Sequence, residues 1–218
     1  MKFTKKIAAI AACACMAMTS MVGMGAFAAE NVNATTDSGI TDVYTSNDLN
    51  YAKYISMTHY YQSGQSWSSQ HCGGISSNPT IASAGCAITS FAMVEKYYGG
   101  SHNPGQVSTN LGSSAYPMDW YTAATAYGLS LPTIIPYSDN ILDKGRASGT
   151  TCSYVRSNKP VIVGMKNRNT GGTHFVVARG AAPQNANVYI YDPASNTDYT
   201  VLDQYYNDGY YVYEIIVY

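Results

Sequence analysis

The stretch "SAGCAITSFAMVEKYYGG", residues 83–100, decides the fold, because it reads as a helix that opens on a cysteine. Ala87, Phe91, Val94 and Tyr98 are spaced by four, three and four, which is one face of a helix. Gly99 and Gly100 supply its C-terminal stop. The run is apolar on most sides, so this helix is expected to be buried. Its N-terminus falls at or just before Cys86, where unpaired amides and the helix dipole favour a thiolate. Gly85 removes side-chain bulk there, leaving room for a substrate to approach. A small buried residue is the alternative reading, since cysteine is among the most buried residue types.

Downstream the period changes. "MDWYTAATAY", after Pro117, predicts a second helix ending at Gly128, and residues 140–157 predict a third, interrupted by Gly145 and Gly149. "PVIVGMK", "HFVVAR", "NVYIYD" and "YYVYEIIVY" are β-branched and aromatic runs divided by Gly, Asn and Pro. Helices first and strands second predict an α+β fold with an antiparallel sheet.

Upstream, Lys2, Lys5 and Lys6 precede an apolar run from Ile7 to Ala29. Ala26 and Ala28 flank Phe27, the pattern of a signal peptide cleaved after Ala28. Residues 1–28 are thus read as a signal peptide, 29–50 as a mobile linker or pro-segment poor in large apolar residues, and 51–218 as the domain. Secretion to the extracellular space is the expected localisation. Removing three lysines leaves nine basic against thirteen acidic residues, a net charge of -4 with no basic cluster. Nucleic acid and membrane surfaces are not expected as partners after cleavage, and a monomer is expected.

The exported chain keeps Cys72, Cys86 and Cys152, an odd number, so one thiol is left over. A Cys72–Cys152 disulfide would leave Cys86 free. Cys72, with His71 beside it, is the rival nucleophile, but the glycines that follow give it no helix start. Of the four histidines, His174 in "GGTHFVVARG" stands at the start of an apolar strand beside a loop, where functional residues are held rigidly yet exposed. His59, His71 and His102 read as ordinary surface or loop residues. Asp192 ends "NVYIYDP". If the runs on either side of the loop "GAAPQNAN" pair as a hairpin with legs of equal length, His174 and Asp192 become neighbours. Such a trio is what a thiol nucleophile requires: a base, and an acid that orients the base. Gln62 could donate to an oxyanion with the Cys86 amide, although by residue type alone Gln65 and Gln70 serve equally well. There is no His-Glu-x-x-His and no Cys-x-x-Cys, so neither a metal nor any cofactor is expected. Trp67 and Trp120 read as core. The 21 tyrosines could form a glycan-binding face, or fill strands on a sparsely charged surface.

Taken in order, "YYQSGQSW", "AGCAITSFAMVEKYYG", "KPVIVGM", "THFVVARG" and "VYIYDP" resemble the landmarks of the bacteriocin-processing (double-glycine leader) cysteine peptidases, in their stand-alone secreted form, within the papain-like group. The resemblance runs from about Tyr51 to the C-terminus. It implies Cys86 as nucleophile, His174 as base, Asp192 as orienter and Gln62 as oxyanion donor, acting on a peptide or protein substrate. It also implies a papain-like fold, with helices facing a curved antiparallel sheet and a cleft between them. Ala87 and Ile88 stand where relatives often carry Gly and Pro, a change expected to narrow the cleft. The membrane and ATPase domains of transporter-linked relatives are not in the sequence, so leader processing coupled to export is not expected. Two alternatives accompany this reading: a hydrolase of cell-wall peptide, and a catalytically silent binding or adhesive module on the same fold.

Overall fold

A computed structural model describes residues 48–194 and 200–218. The signal-peptide reading of residues 1–28, and all but the last three residues of the proposed linker, lie outside these. Among the described residues no helix is long and apolar enough to cross a membrane.

In chain order the elements are β1 (Lys53–Tyr54), α1 (Ile81–Ala84), α2 (Cys86–Tyr97), α3 (Pro104–Leu111), α4 (Trp120–Ala126), β2 (Thr133–Pro136), α5 (Ile141–Arg156), β3 (Val161–Asn167), β4 (Thr173–Ala181), β5 (Val188–Tyr191), α6 (Leu202–Asn207) and β6 (Tyr210–Val217). The sheet runs β1-β4-β3-β6-β2, with β5 also paired to β4, and every pairing is antiparallel. The fold is α+β, as expected, but the order is less simple than helices followed by strands. β1 and β2 come early, and α6 separates β5 from β6.

Strand alternation divides the core into two layers. Val161, Val163, Met165, Val176, Ala178, Ile215 and Val217 face a cluster built with Cys152 and Val155 of α5 and Leu202, Tyr205 and Tyr206 of α6. The residues between them, Ile162, Val177 and Ile216, face the other way, onto Ile88, Phe91 and Met93 of α2, Val107 of α3 and Ala123 of α4. Helices therefore cover both faces of the sheet.

α2 is buried from Ile88 to Glu95. Tyr98, expected on its inner face, lies just past the last turn and is exposed. Local caps set the other helices. Asn103 and Gln106 form a reciprocal capping box at the start of α3. Asp119 accepts from the amides of Tyr121 and Thr122 at α4, and Asn140 accepts from that of Asp143 at α5.

Candidate active site

α2 begins at Cys86 with Gly85 as its N-cap, and no side chain caps it. The first-turn amides beside the sulfur are thus left without a side-chain acceptor. Gly85 serves packing, not substrate access as the sequence suggested. A Cβ there would lie 2.6 Å from Ile81 Cγ2 and from the Ile81 carbonyl oxygen, so its bareness lets α1 and α2 join closely. Ile88 points into the core and only Ala87 lines the cleft, so the replacement of Gly-Pro narrows it by one methyl group.

The β4–β5 hairpin forms, but its legs are unequal: only the Val177–Ala181 end of β4 pairs with β5, and Val177 lies opposite Tyr191. It brings His174 Nε2 to 2.8 Å from Asp192 Oδ1. Asp192 is 1% exposed, and its carboxylate also accepts from the Ala194 amide at 2.8 Å and from the Tyr205 hydroxyl at 2.5 Å. Burial works against ionising Asp192, but the bonds from His174, Tyr205 and the Ala194 amide outweigh it and hold the carboxyl below the usual range. Burial likewise opposes the charged form of His174. Its hydrogen bonds to Asp192 and Cys86, with their negative charge, overcome that and push the imidazole up to about 9. With Nε2 engaged by Asp192, Nδ1 is the ring nitrogen left for Cys86.

Gln62 is buried, and its Nε2 donates to the Ala82 carbonyl at 2.8 Å. One amide hydrogen remains, and Oε1 has no partner among the described residues. The Gln62 backbone amide donates to the Pro193 carbonyl at 2.8 Å, tying its loop to the segment that carries Asp192. Gln62, Cys86 and His174 line one cavity of about 470 Å³, with Trp120, Phe175 and Glu214 among its other walls. Gln65 and Gln70 are not in that lining.

Cys72 and Cys152 are both free and fully buried, so the disulfide considered above does not form. They sit in different core layers. Burial pushes both thiols up, Cys152 to about 12, away from the thiolate that a nucleophile needs.

Three polar partners escaped the sequence reading. Tyr205 comes from α6, whose six residues are too few to show a helical period. His59 donates from Nε2 to the Asp192 carbonyl at 2.8 Å and stacks on Tyr191 at 4.2 Å, so it is not a plain loop histidine. His102 pairs through Nδ1 with the buried Glu95 carboxylate at 2.7 Å. Tyr205 and His59 reach Asp192 across 13 and 133 positions, which nothing local in the sequence marks, whereas Glu95 and His102 stand only seven positions apart.

No curated protein matches the chain. The family model described as Peptidase_C39 like family matches residues 55–217, an interval that contains Gln62, Cys86, His174 and Asp192. The chain therefore belongs to the Peptidase_C39-like family.

Proposed function

We propose that the protein is a secreted cysteine peptidase that hydrolyses peptide bonds with Cys86, His174, Asp192 and Gln62. The observation that carries this is the His174–Asp192 bond at 2.8 Å, set in the same cavity as the cysteine that opens α2. Cys86 and His174 act as a thiolate–imidazolium pair. The thiolate attacks the scissile carbonyl, and the resulting oxyanion takes hydrogen bonds from the Cys86 amide and the spare Gln62 Nε2 hydrogen. His174 gives its proton to the leaving amine, and the acyl group stays on sulfur. Neutral His174 then takes a proton from water, whose oxygen attacks the thioester and releases the acid. Asp192 keeps the imidazole in the tautomer and orientation that both steps need. Secretion rests on the N-terminal pattern of a basic segment, an apolar run and Ala26–Phe27–Ala28.

The test is brief iodoacetamide labelling of the folded protein at pH about 6, where an ordinary thiol is almost wholly protonated. Cys86 should label quickly, and His174→Ala should abolish that speed. Cys86→Ala should remove hydrolysis of a peptide mixture while far-UV circular dichroism stays unchanged. Turnover that persists in Cys86→Ala overturns the reading. A folded protein whose Cys86 resists labelling points to the binding-module alternative.

A further inference from the structure

The cavity that His174 lines also holds an acid that the mechanism does not use. Glu214 lies in β6, where the register with β3 slips. Gly164 pairs with Glu214 and Met165 with Val212, so Tyr213 is the extra residue of a β-bulge. Val212 and Ile215 belong to the same core layer although three positions apart, which confirms the loss of strict alternation. Tyr213 and Glu214, neighbours in sequence, consequently line the same cavity.

Gly164 makes space for this arrangement. A Cβ there would lie 2.9 Å from Glu214 Cγ, 2.9 Å from the Phe175 ring and 3.2 Å from the Tyr213 ring. Trp120 and Phe175 meet edge to face at 5.4 Å, and Phe175 and Tyr213 at 6.1 Å. Burial pushes the Glu214 carboxyl up, and hydrogen bonding from Tyr213 acts against that. The result is a carboxylate beside aromatic walls, half-buried, with no ion-pair partner among the described residues. Aromatic faces favour the stem and charge of a long cationic side chain, and a carboxylate can bind a guanidinium through two hydrogen bonds.

We propose that Glu214 determines specificity, selecting peptides that place an arginine or lysine side chain in this cavity beside the scissile bond. The substrate class rests on the peptidase reading above; the preference for positive charge does not. Two measurements separate them. The first profiles cleavage of a peptide mixture by the wild type and by Glu214→Gln. The second compares Cys86 labelling by two methanethiosulfonates, one bearing a trimethylammonium and the other a sulfonate. In each the thiolate displaces sulfinate and forms a mixed disulfide. Rates are divided by that of uncharged iodoacetamide, which corrects for any change in thiol reactivity.

Glu214→Gln should lower the cationic-to-anionic rate ratio by about tenfold or more, as expected for losing a partly desolvated charge contact. Wild-type cleavage sites should share a basic residue at one fixed position, and the variant should lose that enrichment. A ratio unchanged by the substitution, or cleavage with no basic preference, overturns the proposal and leaves the peptidase reading standing. If no peptide is cleaved while the ratio falls, the peptidase reading fails and the cationic site stands.

Discussion

Asp192 is the residue on which the site is hung. Its side chain takes bonds from His174, Tyr205 and its own loop, and its carbonyl takes one from His59. Against the opposing effect of burial, its hydrogen bond, with the bond and charge of Cys86 and its own charge, raises His174 to about 9, above the ordinary 6.5. Because the folded value is the higher one, the imidazolium's contribution to stability is complete below 6.5 and is lost as pH rises through about 9. Asp192 runs the other way: its folded value is depressed, so its contribution is lost as pH falls below the usual carboxylate range. The alkaline limb of kcat/KM should therefore fall near 9, set by loss of the His174 proton. Asp192→Asn should move that limb toward 6.5 and lower the plateau by at least about tenfold. A limb that stays in place in the variant would mean that another group sets the proton affinity of His174. That Cys86 opens a helix and that His174 meets Asp192 was legible in the sequence, since each stands at the start or end of a clear period. Tyr205, His59 and Glu214 were not, because each acts across the fold from a segment whose own pattern is ordinary.

At the scale of elements, the join between α1 and α2 sets where Cys86 stands. Gly85→Ala would drive a methyl group against Ile81 on two sides. We expect it to cost about 1–3 kcal/mol of stability in urea unfolding. Because the clash lies one residue from Cys86, it should also slow iodoacetamide labelling. Full activity with unchanged stability would show that the join yields without moving the cysteine. α2, α4, α5 and the strands of the second half could be read from periodicity. α3 could not, because its opening Pro104-Gly105 reads as a turn, whereas proline at the first helical position and the Asn103–Gln106 box in fact start a helix. β2 has four residues ending in Pro136, too short to alternate legibly. The bulge in β6 was hidden for a further reason. An unbroken run of aromatic and β-branched residues looks the same with or without one extra residue.

Across the whole molecule, the sheet is a shared wall between two core layers, and disturbance on either face should be felt by the other. Ile162 lies on the α2 side and Ile215 on the α5 side, and both are fully buried. Ile162→Ala and Ile215→Ala should each cost about 2–5 kcal/mol. Trp67 and Trp120 both belong to the α2 side, so tryptophan fluorescence watches one layer, while far-UV circular dichroism watches all the secondary structure. In both variants the two signals should report a single coincident transition. Fluorescence that lags circular dichroism in Ile215→Ala would mean that the layers unfold separately. Which helices cover which face was not legible, because periodicity shows that a helix has an apolar side, not which face of the sheet that side will meet.

The three thiols of the described residues differ sharply in their access to solvent. Cys72 and Cys152 are sealed in separate layers, while Cys86 opens on the cavity. In the chain from residue 29 onward, one equivalent of thiol reagent therefore counts intact centres, and further equivalents are consumed only as molecules come apart. The protein carries its own stoichiometric gauge: the ratio of rapidly to slowly titrated sulfur reports what share of a preparation is native, with no substrate needed.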